Sequence, residues 1–234
     1  MKVSKKLGTL FIVSTPIGNL SDITFRAIEI LKSVHLVAAE DTRHSKKLFS
    51  HYNINTPLIS YYEHNKHERI PILINHLEKG HDLAVISNAG TPGISDPAYK
   101  LIREAIKKEI KVESIPGVSA AIAALISSGL PTDRFLFEGF LPPKKGRKNQ
   151  ISKNKEVNAT LIYFENPKRL KRTLKDLLDV LGDRPAVIAR ELTKIHEEIK
   201  RGTIKNILTA LDDKTIRGEC VILIGKNNQN VYFQ

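Results

Sequence analysis

The chain has 234 residues, 41% of them hydrophobic, a formal net charge of +12 at pH 7, no tryptophan and a single cysteine, Cys220. One cysteine excludes an intrachain disulfide framework and a thiolate metal cluster, and it fits a reducing, cytoplasmic compartment. No window approaches the roughly 20 apolar residues of a membrane span, so a soluble protein of one large or two small α/β domains is expected.

At the N-terminus, lysines precede an apolar stretch of about five residues that ends at Pro16 instead of in a cleavage site, so it reads as a first strand. Apolar runs at Leu10 to Val13, Leu36 to Ala39, Leu58 to Ser60, Leu83 to Ile86 and Val112 to Ile115 alternate with helix-like segments, including Phe25 to Ser33 and Ala98 to Lys108. Short continuous runs separated by helices predict a mostly parallel sheet covered on both faces. A small-residue helix, Ser119 to Ser127, leads into the connector Ser128-Gly129-Leu130-Pro131. Beyond it, strands are expected at Phe135 to Glu138, Thr160 to Phe164, Ala186 to Ala189 and Cys220 to Ile224, with a helix over Leu170 to Leu181. The expected division is therefore a domain over 9–127, a second over 128–226, and a polar tail, 227–234.

Ligands of parallel sheets sit beyond the carboxyl ends of the strands, and three such loops stand out. Ser14 to Leu20 follows the first strand; one glycine makes it neither a dinucleotide fingerprint nor a phosphate loop, so it is a ligand loop or an ordinary turn. In Val85 to Pro97, nine of thirteen residues are Ser, Asn, Gly, Thr, Pro or Asp. Its glycines allow close backbone approach to a bound molecule, and Asp96-Pro97 suits a helix start. Pro116 to Ala124 offers a helix N-terminus, with Ser119 as a possible cap; Ala121 stands where a hydrolase elbow needs glycine. Glu40-Asp41-Thr42-Arg43-His44, five polar residues after the second strand, holds either a base with an orienting arginine or a helix cap.

Charge is unequal along the chain. Residues 1–140 carry 17 basic and 14 acidic side chains, a net +3, whereas residues 141–234 carry 20 and 11, a net +9. Six basic and no acidic residues lie between 141 and 155, which reads as a mobile basic loop; Lys168, Arg169, Lys171 and Arg172 add a second cluster. Together they suit a polyanion, although a solvated lysine face is the bland alternative for each alone. The histidines, including His64, His67 and His196, match no zinc spacing, so no metal is expected.

In order along the chain, Thr15 to Leu20, Ala39 to His44, Ser87 to Pro97, Pro116 to Ala121, Phe137 to Pro142, Ala189 to Lys194 and Gly218-Glu219 resemble the tetrapyrrole-methylase-like S-adenosylmethionine enzymes. Within them, they resemble the branch that methylates small-subunit ribosomal RNA. The resemblance runs from about Leu10 to Gly225. It implies a two-domain α/β fold with a mostly parallel N-terminal sheet and a mixed second domain, a homodimer, and S-adenosylmethionine held between the domains. The implied reaction methylates the ribose 2′-hydroxyl of a decoding-region cytidine in 16S rRNA of the small ribosomal subunit.

By motif position, the resemblance implies donor contacts at Pro16, Gly18, Asn88, Ala89, Gly90, Thr91, Ser119, Ala120, Ala121, Tyr163, Phe164, Ala189 and Gly218. Asp41, Glu40 and Glu165 are candidate proton acceptors, with Arg43, Arg190 and Lys194 positioning phosphate or ribose. Lys144, Lys145, Arg147, Lys148, Lys168 and Arg169 form the expected RNA face. The sequence departs from the family in carrying Asn88 where aspartate is usual, and many members of the branch continue into a small C-terminal extension. Two alternatives remain at this point: a small-molecule tetrapyrrole methylase, and a non-catalytic RNA-binding or ribosome-assembly protein.

Overall fold

In a computed structural model of the chain, residues 6–211 and 216–226 are described; the polar tail lies outside them. The chain divides into two compact units, Met1–Ser119 and Ala120–Gln234.

The first unit is a sheet of five parallel strands: β1 (Leu10–Val13), β2 (Leu36–Ala39), β3 (Leu58–Ser60), β4 (Leu83–Ile86) and β5 (Val112–Ile115), in the order β3-β2-β4-β1-β5. All four residues of β4 are buried, as an interior parallel strand covered on both faces requires. Helices α1 (Phe25–Ser33) and α2 (Thr42–His51) send Ala27, Leu31, Leu48 and Phe49 against Val13, Val37, Ala84 and Ile86 on one face. Helices α3 (Lys66–Glu78) and α4 (Ala98–Lys107) send Leu73, Leu77, Leu101 and Ala105 against Leu10, Ile12, Ala38 and Val85 on the other. The chain therefore leaves β1 and β2 toward one face and leaves β4, which lies between them, toward the opposite face. Such a reversal is the topological switch point at which open α/β sheets bind ligands.

The second unit opens with α5 (Ala120–Ser128), which packs on β7, β8 and β10 of its own sheet. That packing places the division eight residues before the connector at 128–131, because this small-residue helix covers the second sheet. The strands are β6 (Phe135–Phe140), β7 (Thr160–Glu165), β8 (Pro185–Arg190), β9 (Glu198–Thr203) and β10 (Cys220–Ile224), in the order β6-β7-β10-β8-β9. Only β6 and β7 are parallel; the remaining pairs are antiparallel. On the face opposite α5 lie α6 (Arg147–Ser152), α7 (Leu170–Leu181) and α8 (Ile204–Ala210). Leu170, Leu174, Leu177 and Leu181 recur at three- and four-residue spacing along α7 and are buried, which fixes its inward stripe.

One expectation needs correction, and one strand is additional to those expected. The stretch 144–155 is not a loop throughout: α6 occupies Arg147–Ser152 because Arg147 and Ile151, one turn apart, are both drawn into the core. Strand β9 has no apolar run to announce it; it is a partly exposed edge strand, Glu-Ile-Lys-Arg-Gly-Thr, of the charged kind that discourages edge pairing.

Candidate functional site: linked loops at a switch point

At the carboxyl edge of the first sheet, the loops after β1, β2, β4 and β5 are joined by direct hydrogen bonds. Thr15 and Gly90 exchange backbone bonds of 2.9 and 3.0 Å, an isolated antiparallel bridge between the β1 and β4 loops. Ser14 Oγ and Thr91 Oγ1 are 3.0 Å apart, and Thr91 Oγ1 donates to the Val118 carbonyl at 3.1 Å, reaching the β5 loop. Thr91 has one hydroxyl proton, so Ser14 must be the donor in their pair. On the other side, the Asp41 amide donates to Asn88 Oδ1 at 3.1 Å and the Asn88 amide donates to Glu40 Oε2 at 3.2 Å.

Two glycines make this proximity possible. Gly90 has φ +78°, and a Cβ there would stand 3.4 Å from Ile17. A Cβ on Gly117 would meet the Ser14 Cβ at 2.8 Å, so the β5 loop passes β1 at a distance only glycine permits. Asp96 accepts from the amides of Gly93 and Ala98, closing the β4 loop onto the start of α4, and burial raises its carboxyl pKa.

Of the residues predicted from the first half, Glu40, Asp41, Asn88, Gly90 and Thr91 take part in these bonds. Pro16 and Gly90 are buried, Gly18 and Ala89 exposed, and Asn88, Thr91 and Ser119 lie between. Asn88 keeps the acceptor an aspartate would supply, spends it on the Asp41 amide, and has a side-chain NH2 without a protein partner among the described residues. Asp41 is the N-cap of α2, accepting from the amides of Arg43 and His44. Its hydrogen bonds from the Arg43 side chain and amide hold the carboxyl below the usual range, which makes it a weak proton acceptor. Glu40 is half-buried at the same edge, bonded through one oxygen to Asn88.

The second unit corrects several expectations. Glu165 is fully buried, held by Arg169 at 2.6 Å, by the Thr173 hydroxyl and by the Asn166 amide, so it is closed to an external proton. Arg147, expected on the RNA face, is 2% exposed and bonds Asp176 at 2.7 Å, Thr173 and, at 3.6 Å, Glu165. Lys148 pairs with Asp179 and Asp176. Tyr163 points into the core, bonded to Asn154, and burial pushes its phenol up to about 12; its side chain is unavailable to a donor.

Ala189 is buried on β8. Gly218 has φ +87°, and a Cβ there would lie 2.3 Å from Glu191 Cγ, so packing against Glu191 demands the glycine. Arg190 pairs with Glu198, and Lys194 with Glu191 and Glu219. Burial opposes the Lys194 charge, yet the two carboxylates raise its pKa, and Lys194 in turn lowers that of Glu191. Burial pushes the Cys220 thiol up to about 11, which leaves it inert at neutral pH. Lys144, Lys145 and Lys168 are exposed, and Arg172 donates to the Pro143 carbonyl at 3.4 Å, which draws the two basic segments together. The partners Thr173 and Asp176 escaped sequence reasoning, since Asp176 lies 29 residues from Arg147. Among the described residues no group of three His, Cys, Asp or Glu side chains could hold a metal ion, and no helix is long and apolar enough to cross a membrane.

Residues 9–208 match the family model of Tetrapyrrole (Corrin/Porphyrin) Methylases. The chain belongs to this family. It is therefore a methyltransferase, and its parallel first sheet and mixed second sheet are the fold shared by solved family-like structures. One of these, a cobalt precorrin-4 methyltransferase of cobalamin biosynthesis, superposes with a TM-score of 0.70 at 19% identity, covering 93% of this chain and 94% of that one. Among curated relatives, a protein of Halalkalibacterium halodurans named ribosomal RNA small subunit methyltransferase I is 50% identical over 96% of this chain and 78% of its own length. Its namesake in Synechocystis sp. is 48% identical over 94% of this chain and 80% of its own. The solved structure thus shares the fold at low identity, and the high identity lies with relatives named for small-subunit ribosomal RNA.

Proposed function

We propose that the chain transfers a methyl group from S-adenosylmethionine to the ribose 2′-hydroxyl of a cytidine in the decoding region of 16S rRNA, acting on the small ribosomal subunit. The observation that carries this reading is the near-50% identity, along almost the whole chain, to relatives named for small-subunit ribosomal RNA. The tetrapyrrole alternative has the name of the matching family model and structures under 20% identical, which speak for the family and the fold and not for the acceptor.

The linked loops fit the donor. A molecule lying against Gly90 meets bare backbone, and the side-chain NH2 of Asn88 offers a hydrogen bond beside it. When bound, S-adenosylmethionine supplies a methyl group already activated on a sulfonium. What the protein must add is alignment of the attacking oxygen and removal of its proton. Glu40 is the carboxylate best placed for the proton, because Asp41 is engaged in its cap and Glu165 is sealed in the core. Arg43, largely exposed, is available to a phosphate or ribose oxygen.

The test is to incubate the protein with labelled S-adenosylmethionine and 30S subunits that lack the modification, then map the methylated nucleotide and atom. A 2′-O-methylcytidine in the decoding region is expected. Glu40→Gln should abolish turnover while Asp41→Asn retains it. No incorporation, with donor binding intact by calorimetry, would refute the reading.

A further inference from the structure

Strand β6 contains a bulge that changes which of its side chains share a face. Phe137 pairs with Ile162 of β7, the register then shifts, and Gly139 and Phe140 pair with Tyr163 and Phe164. In a regular strand, residues three apart point to opposite faces. The extra residue, made possible by Gly139 at φ +64°, puts Phe137 and Phe140 on the same face as Phe164. The three rings meet edge to face, with Phe137 and Phe164 centroids 4.9 Å apart and those of Phe140 and Phe164 5.6 Å apart. Glu138, next to Phe137, points the other way, as strand alternation requires, and accepts from Gln150 of α6.

The cluster is not closed. Phe140 is 53% exposed, on the edge strand, while α5 covers β7, β8 and β10. The chain runs from Phe140 through Leu141-Pro142-Pro143 to the exposed Lys144 and Lys145, four and five residues on and hence at most about 14 and about 18 Å away along the chain. Arg172 holds that turn by its Pro143 carbonyl. An open aromatic face bordered by lysines that form no ion pair among the described residues suits a ligand with a flat ring on an anionic backbone better than it suits an apolar protein surface.

We infer that Phe140, backed by Phe164 and Phe137, is a stacking platform for an unpaired base of the RNA whose phosphates meet Lys144 and Lys145. This rests on the RNA reading above and adds to it a recognition element for single-stranded, unstacked substrate. The test uses the full chain and two fluorescent probes, a short oligocytidine RNA and an abasic ribose-phosphate oligomer of equal length. Phe140→Ala and Phe140→Leu should weaken oligocytidine binding about ten- to a hundredfold and leave abasic binding unchanged, while Phe140→Trp restores it. Affinity for S-adenosylmethionine, measured by calorimetry, should not move. An equal loss on both probes, no loss on either, or a loss of donor affinity would each overturn the platform while leaving the RNA reading in place. If the unaltered protein binds neither probe, the platform fails, while the RNA reading stands or falls separately on methyl transfer to 30S subunits.

Discussion

Arg147 offers a direct contrast between a charge that binds a ligand and a charge that holds a fold together. Its guanidinium donates to Asp176, Thr173 and the Pro142 carbonyl and lies 3.6 Å from Glu165, with 2% of its surface exposed. Removing one partner of a buried ion pair costs about 3–5 kcal/mol because the other charge stays in the core. Glu165 retains Arg169 and Asp176 retains Lys148, at 3.8 Å, so Arg147→Ala should fall at the low end, about 3 kcal/mol. With a urea slope of about 2 kcal/mol/M, the unfolding midpoint followed by far-ultraviolet circular dichroism should drop by about 1.5 M. Combining Arg147→Ala with Glu165→Gln should cost less than the sum of the two, since the second change removes the stranded carboxylate. An unchanged midpoint together with weaker, less salt-dependent RNA binding would refute this reasoning and return Arg147 to the RNA face.

Replacing Lys144 and Lys145 together with alanine should do the reverse, leaving the melting temperature in place while the slope of log affinity for single-stranded RNA against log salt falls by about 1.4, from two contacts at about 0.7 each. Gly218→Ala places a methyl group against the Glu191 carboxylate at a positive φ, and should lower stability by about 1–3 kcal/mol, read as a lower melting temperature with the Glu191–Lys194 pair disturbed. The folded-state pKa of Asp41 lies below its unfolded value, so its cap contributes fully above about 3.9 and is lost as pH falls through the lower folded value. Asp41→Asn keeps an acceptor but cannot titrate, and the decline in melting temperature between about pH 5 and about pH 3 should be shallower in that variant.

Strands buried on both faces were legible because they must be continuous apolar runs: Leu10 to Val13 and Leu83 to Ile86 stand where the sequence places them. Strand β9 was not, because an edge strand needs no such run and Glu198, Lys200 and Arg201 conceal its alternation. The loops at the first sheet's carboxyl edge were legible from their glycines and polar residues. Their linkage was not, since Thr15 and Gly90, or Asp41 and Asn88, are distant in sequence and meet only through the strand order. Charge was read as a sum, and a sum does not say which cations find a carboxylate. Phe140 carried a signal in the sequence, an aromatic just ahead of six basic residues, but its face depends on a bulge that strand alternation does not predict.

The division between arginine and lysine in the basic segment follows from their chemistry. A guanidinium is a rigid fork that can engage several oxygens at once, which suits a crowded site, whereas a strongly hydrated ammonium stays in water unless well compensated. Arg147 and Arg169 accordingly converge on Glu165, while Lys144, Lys145 and Lys168 remain exposed and form no ion pair among the described residues. Segment 140–147 is thereby fixed at both ends, by the pairing of Phe140 with β7 and by the buried fork of Arg147, with Arg172 holding its middle. A turn held in this way loses less freedom when it meets a ligand than the mobile loop its composition suggested. The arginines turned to Glu165 therefore set where the exposed lysines are held, and on the RNA reading that is where phosphates would be met.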